Sequence, residues 1–178
     1  MMLANQSLRF FTSILLLASS ACASGGSSNL PSAGSSVTRE PSSAVCEATQ
    51  TGLEPIDSAE LIELCLLVNQ TRQAAGLQPL TLEARRSHVA QLHAGDMASQ
   101  NFFSHNSLDG RTPFDRLTDA GIRYMTAGEN IALGQSSAAS VLNSWMRSEG
   151  HRANILNPQF KRLGLGADSQ RWVQVFTD

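Results

Sequence analysis

The residues best equipped for chemistry are four histidines, His88, His93, His105 and His151. Imidazole alone among ordinary side chains changes charge near neutral pH, and it also ligates transition metals. His88 and His93 lie five apart in one helical pattern, so they form neither an i,i+4 pair nor an HExxH zinc motif. An ordinary surface or packing role is expected for both. His151 stands in "SWMRSEGHRANIL", two positions after Glu149, which has the look of a carboxylate and imidazole dyad. On a continuous helix, however, residues two apart point about 200° away from each other and do not meet. Gly150 between them is expected to end the helix, which leaves Glu149 as a solvated residue at the negative end of a helix dipole. His151 then needs partners from elsewhere in the chain. His105 sits in "NFFSHNSLDG", after a double aromatic and before a turn rich in Asn, Asp and Gly, where a rigid scaffold can present a side chain.

No nucleophile accompanies these histidines. Ser104 and Ser148 are near them in sequence, yet no GxSxG elbow or SxxK motif occurs, and an unactivated hydroxyl attacks poorly.

The elements that must position the histidines can be traced along the chain. Asp57 with Glu60 resembles a capping box opening a helix with Leu61, Leu64, Cys65 and Val68 on one face and Gly76 as its stop. A second helix is predicted from about Thr81 to Gln100, with Leu82, Val89, Leu92 and Met97 inward. Thr112-Pro113 with Asp115 opens a third, ending near Gly121, and "SSAASVLNSWMRSEG" is a fourth, with Val141, Trp145 and Met146 inward. "KRLGLGAD" and "RWVQVFTD" then alternate apolar and polar residues about a turn near Ser169, as paired strands do. A third extended piece lies around "ENIAL". Helices first and antiparallel strands last predict an α+β fold, about four helices packed on a small antiparallel sheet.

The 178 residues, 42% hydrophobic and with a formal charge of -2, suit one globular core and provide no basic surplus for nucleic acid. Residues 1–23 have the order of an export signal: a cation at Arg9, a short apolar run, then small residues. Ala21-Cys22-Ala23 satisfies ordinary signal peptidase, whereas Cys22 at the end of "LASSAC" resembles a bacterial lipobox, with Ser19 where leucine is usual. Lipidation at Cys22 is the favoured expectation, giving an exported lipoprotein of the bacterial cell envelope attached to its membrane; the alternative is a secreted chain. Residues 24–56 are rich in Ser, Gly and Pro and read as a linker, and 57–178 as the folded domain. Three cysteines occur in all. With Cys22 lipidated or removed, Cys46 and Cys65 remain as a disulfide pair, the alternative being a buried core thiol at Cys65.

"FFSHNSLDGRTPFDRL", "AGENIALG", "WMRSEGHRANILNPQFKRLGLG" and "WVQVF", in that order over residues 60–178, resemble the CAP superfamily of cysteine-rich secretory, antigen 5 and pathogenesis-related proteins, in its bacterial SCP-like extracellular branch. The resemblance implies a three-layer α-β-α sandwich with a cleft into which His105, Glu129 and His151 project. Where many eukaryotic members carry a second glutamate, three positions after the helix-four tryptophan, this chain has Ser148. Three uses are open to such a cleft: a divalent metal such as Zn²⁺ held by His105 and His151, acid and base catalysis of a hydrolysis, or a satisfied polar network. Members of the superfamily differ in activity, so the ligand stays open among a metal, a lipid or sterol, and a cell-wall component, with a structural or adhesive role as a further alternative.

Overall fold

The structure is a computed structural model that describes residues 45–46 and 58–178. The expected signal at 1–23, lipidation at Cys22 and nearly all of the linker at 24–56 lie outside the described residues.

Helix α1 (Ala59–Ala74) leads to a two-residue strand β1 (Thr81–Leu82) and helix α2 (Ala84–Ser99). Then come α3 (Pro113–Asp119), β2 (Ala127–Leu133), α4 (Ala138–Arg147), α5 (Glu149–Ile155), β3 (Arg162–Asp168) and β4 (Arg171–Thr177). The sheet order is β1-β3-β4-β2. β3, β4 and β2 are antiparallel, but β1 runs parallel to β3, so the sheet is mixed where an antiparallel one was expected. The hairpin between β3 and β4 turns on Ser169 and Gln170, both with positive φ, the two-residue geometry whose twist matches paired strands.

Strand alternation sends residues to two helical layers. Leu163, Leu165, Trp172 and Phe176 join Leu64, Val68, Val141, Trp145 and Ile155 in a core beneath α1, α4 and α5. Val173, Val175 and Ile131 face the other way, toward Val89, Ala90, Ala94, Met97 and Leu117 of α2 and α3. The result is the three-layer α-β-α sandwich that the resemblance implies. On the α2 side β3 contributes Gly164 and Gly166, where a Cβ would collide with the backbone of Arg86 and of Ala90-Gln91. Two glycines therefore set how closely α2 lies on the sheet.

Several sequence expectations shift by a few residues. Leu82 belongs to β1 and not to the second helix, and Leu92 is 58% exposed, since α2 packs through Ala90, His93 and Ala94. Ser58, not Asp57, caps α1, its side chain accepting from Leu61 N. The helix opened by Thr112-Pro113 with Asp115 begins as read, where Thr112 and Asp115 form a capping box, and Gly76 and Gly121 take the left-handed conformation after their helices. The expected fourth helix is two: extended backbone at Ser148 separates α4 from α5, and Gly150 lies inside α5. There are thus five helices among the described residues. A disulfide joins Cys46 to Cys65 and closes a loop of 19-residue separation onto α1, worth about 3 kcal/mol on the chain-entropy account. No helix among the described residues is long and apolar enough to cross a membrane.

Candidate functional site

β2 is an edge strand, and its alternation splits Glu129 from Asn130. Glu129 shares the face of Ile131, toward α2 and α3, while Asn130 faces α5. The strand edge is consequently where the two helical layers meet, and the site is assembled there.

Glu129 is almost wholly buried, with 3% of its side chain exposed, and both its oxygens are engaged. Oε1 accepts from His105 Nδ1 at 2.8 Å and Oε2 accepts from Arg116 Nη2 at 2.7 Å. Because the carboxylate can only accept, Nδ1 of His105 carries the proton. The free Nε2 of a neutral His105 is then an acceptor, on a side chain that is 49% exposed. Arg116, 6% exposed, does more than balance the carboxylate. Its Nη1 donates to the carbonyl of His105 at 2.9 Å, to Ser107 Oγ at 3.2 Å and to the carbonyl of Arg111 at 3.4 Å. One buried guanidinium therefore fixes both the carboxylate and the loop that presents the imidazole.

His93 supports the same loop from below. It is fully buried on α2, its Nε2 donates to the carbonyl of Ser104 at 2.9 Å, and its ring meets Phe102 edge-on at 6.1 Å between centroids. Burial, and then the nearby charge of Arg116, push its pKa below the ordinary histidine value, so it is held neutral. His93 thus has the packing role expected of it, and His88 lies exposed on α2.

His151 comes from the other layer, in the middle of α5. Asn130 Nδ2 donates to its carbonyl at 3.1 Å, and Asn154 Nδ2 donates to Asn130 Oδ1 at 2.9 Å and to the carbonyl of Glu129 at 3.2 Å. Buried Arg72 holds the far end of α5 by donating to the carbonyls of Ile155 and Asn157, at 2.7 and 2.9 Å. Burial lowers the His151 pKa, and a positive charge on His105 lowers it further.

Glu149 is exposed in the first turn of α5. It sits at the positive end of a dipole, where a carboxylate is favoured, and not at the negative end expected of it. It is no partner of His151. Ser148, half-buried at the junction of α4 and α5, makes no capping hydrogen bond, and Ser104 Oγ accepts from Asn106 N. Neither hydroxyl is bonded to a histidine among the described residues.

Sequence reasoning singled out His105, Glu129 and His151 but not Arg116, Asn130 or Asn154, which position them. One signal for Arg116 was present: it follows Pro113 by three and precedes Leu117, which places a charge on the inward face of a short helix.

The comparisons with known proteins agree with this architecture. The family model described as CAP, cysteine-rich secretory protein family, matches residues 66–176. The uncharacterized protein YkwD of Bacillus subtilis (strain 168) is 41% identical over 137 residues, covering 75% of this chain and 53% of that protein. The uncharacterized membrane protein YlbC of the same organism is 36% identical over 110 residues, covering 62% and 32%. The chain thus spans about half or less of these curated relatives. Among solved structures, an extracellular protein containing a SCP domain from Bacillus anthracis str. Ames superposes with a TM-score of 0.63 at 37% identity, over 65% of this chain and 39% of that one. An outer surface protein of Borrelia burgdorferi shares the fold, with a TM-score of 0.62 at 20% identity over 67% of this chain and 92% of its own. With the family model matched over residues 66–176 and the sandwich shared with bacterial SCP-domain structures, the chain belongs to the cysteine-rich secretory protein (CAP) family, as a bacterial member.

Proposed function

We propose that this chain is an exported binding module of the bacterial cell envelope, tethered to its membrane through a lipidated Cys22. Its site binds a divalent transition-metal ion of the Zn²⁺ type through His105 Nε2 and His151. The observation that carries this reading is the dual engagement of Glu129. A carboxylate that holds the Nδ1 proton of an imidazole fixes its tautomer and raises the basicity of Nε2, the arrangement typical of a metal-ligating histidine. With Arg116 on its other oxygen, Glu129 serves as that outer partner and not as a ligand itself.

The donor set fits a borderline cation but is sparse: no three His, Cys, Asp or Glu side chains among the described residues are grouped to hold a metal. Two imidazoles leave the remaining coordination positions to water or to a group from a partner, which suits an open recruiting site better than a closed structural one. When bound, the ion would supply Lewis acidity and a bridging charge. The chain's own part is to orient His105, keep His151 neutral and present both at the sheet edge. Export is supported by the order of the N-terminal sequence and by the extracellular and surface descriptions of similar proteins.

A calorimetric Zn²⁺ titration tests the reading. Saturable binding should be abolished by His105→Ala and by His151→Ala and weakened by Glu129→Gln. Absence of saturable heat, or heat unchanged in both alanine variants, would reject it. A second reading, acid and base hydrolysis, draws on the same Glu129–His105 dyad, which resembles the base and its orienting acid in a triad. Turnover of peptide, ester or cell-wall substrates that Glu129→Gln removes would favour it.

A further inference from the structure

At the other end of α2 the fold gathers what the sequence keeps apart. A cleft of about 320 Å³ is lined by Glu83, Arg85, Arg86, Gly121, Ile122 and Arg123. Gly121 ends α3 with a φ of +68° and carries the chain round to Arg123, opposite the first turn of α2. Three guanidinium groups thus face one carboxylate, in a chain whose net charge is -2.

That carboxylate is already spent. Glu83 Oε2 pairs with Arg86 Nη1, and Glu83 Oε1 pairs with Arg162 Nε at 3.1 Å, so a fourth arginine stands behind the cleft. The other acid in range, Asp178, accepts from the backbone N–H groups of Met125 and Thr126 at 2.8 and 2.9 Å, and Lys161 adds a further cation near it. Counting Arg85, Arg86, Arg123, Arg162 and Lys161 against Glu83 and Asp178 leaves the positive charges in excess.

Arg86 is the built part of the site. It is 6% exposed, its Nε donates to Thr177 Oγ1 at 2.8 Å and its Nη1 is held by Glu83, so the guanidinium plane is fixed. Its Nη2 bonds to no described residue. α2 itself begins with Glu83 in the N-cap position but without a side-chain cap. This first turn is the positive end of a helix about 24 Å long. The remaining Nη2 edge of a fixed, buried guanidinium, two exposed arginines beside it and a helix end without a side-chain cap together suit an oxyanion. The volume is at the small end of ligand sites, suited to a phosphate group and a few attached atoms.

We propose that the cleft between the first turn of α2 and the loop after α3 is a binding site for a phosphate group, gripped by Arg86 and closed over by Arg85 and Arg123. It lies at the end of α2 remote from His105, so it is separate from the imidazole site. A soluble phosphoester and the headgroup of an anionic lipid present the same chemistry, and the test separates them.

The full chain, carried as Cys22→Ser so that no acyl group contributes, is titrated with inorganic phosphate and followed by calorimetry and melting temperature. Saturable one-to-one binding with a raised melting temperature is expected. Because Arg86→Gln removes a buried group and endangers the fold, the decisive variant is Arg85→Gln/Arg123→Gln, both at exposed positions. It should melt as the parent does without ligand, keep its Zn²⁺ response, and lose affinity for phosphate about tenfold or more. In the second arm, sedimentation with phosphatidylglycerol vesicles but not phosphatidylcholine vesicles, competed by phosphate and lost in the double variant, identifies a lipid headgroup as the source. Phosphate binding without vesicle selectivity identifies a soluble phosphoester. No saturable phosphate effect, or an effect of equal strength in the double variant, overturns the proposal.

Discussion

Replacing Arg116 by methionine should be among the most damaging single changes available in this fold. Methionine approximates the volume of the arginine stem, so the cavity term is small and the electrostatic consequence stands out. The change strips Glu129 Oε2 of its donor in surroundings where only 3% of the carboxylate side chain meets solvent, leaving His105 Nδ1 as the sole partner. Removing one member of a buried ion pair costs about 3–5 kcal/mol, a large share of the roughly 5–15 kcal/mol that stabilises a typical domain. The part-buried carbonyls of His105 and Arg111 and the buried hydroxyl of Ser107 also lose a donor. The loss should therefore lie toward the upper end of that range. Urea unfolding followed by the fluorescence of buried Trp145 and Trp172 gives the number. The double variant Arg116→Met/Glu129→Gln should be less destabilised than the sum of the singles by about 2 kcal/mol, because no uncompensated charge remains. A cost for Arg116→Met below about 1 kcal/mol, the level of a surface ion pair, or strict additivity in the cycle, would refute the assignment of Arg116 and Glu129 as the buried anchor of the site.

Other outcomes follow from the same contacts. Gly166→Ala puts a methyl group into the backbone of α2 and should cost about 3 kcal/mol or more in urea unfolding, whereas Gly150→Ala, which meets nothing within 4 Å, should be neutral or stabilising. His93 and His151 both have folded pKa values below the unfolded value, so the unfolded chain binds more protons as the solution acidifies. Stability should be fully present above about pH 6.5 and fall as pH drops below it, with His93→Gln flattening the slope; a stability that rises on acidification through that window would contradict the directions given. In the native organism Cys22→Ser should release the chain from the membrane fraction and remove an acyl mass increment, and a variant that stays bound with its mass unchanged would eliminate the lipid tether.

The parts of the fold legible in the sequence were those governed by local patterns. The alternation in "KRLGLGAD" and "RWVQVFTD", the helix start at Thr112-Pro113 and the glycine stops after two helices all appear where their patterns place them. The misplacements share a physical origin in long-range contacts. Leu82 continued a helical stripe in the sequence, but pairing of Thr81-Leu82 with Arg162-Leu163 pulls it into the sheet. Leu92 looked inward because it is large and apolar, yet a helix lying on a glycine-floored strand approaches through its small residues, so Ala90 and Ala94 take the core and Leu92 is left outside. Ser148 breaks the fourth helix by adopting extended backbone, which no residue type announced, and this moved Glu149 from the negative end of one helix to the positive end of another.

The site divides in the same way. His105, Glu129 and His151 stood out through residue type and through resemblance to the family, but their arrangement depends on Arg116 and on the Asn130–Asn154 pair, whose roles exist only once β2 lies between the two helical layers. The arginines at 85–86, 123 and 162 come from three separate stretches of the sequence, so their convergence could be seen only in the fold.

The central claim is that Glu129 fixes the His105 tautomer and leaves Nε2 free to act together with His151. Two-dimensional ¹⁵N-imidazole correlation NMR on the folded chain reads this directly. In the neutral form His105 should be the Nδ1–H tautomer, and Zn²⁺ should then move the Nε2 signal of His105 together with a ring nitrogen of His151, leaving His93 unchanged. A neutral His105 in the Nε2–H tautomer, or a Zn²⁺ response confined to exposed His88, would contradict it.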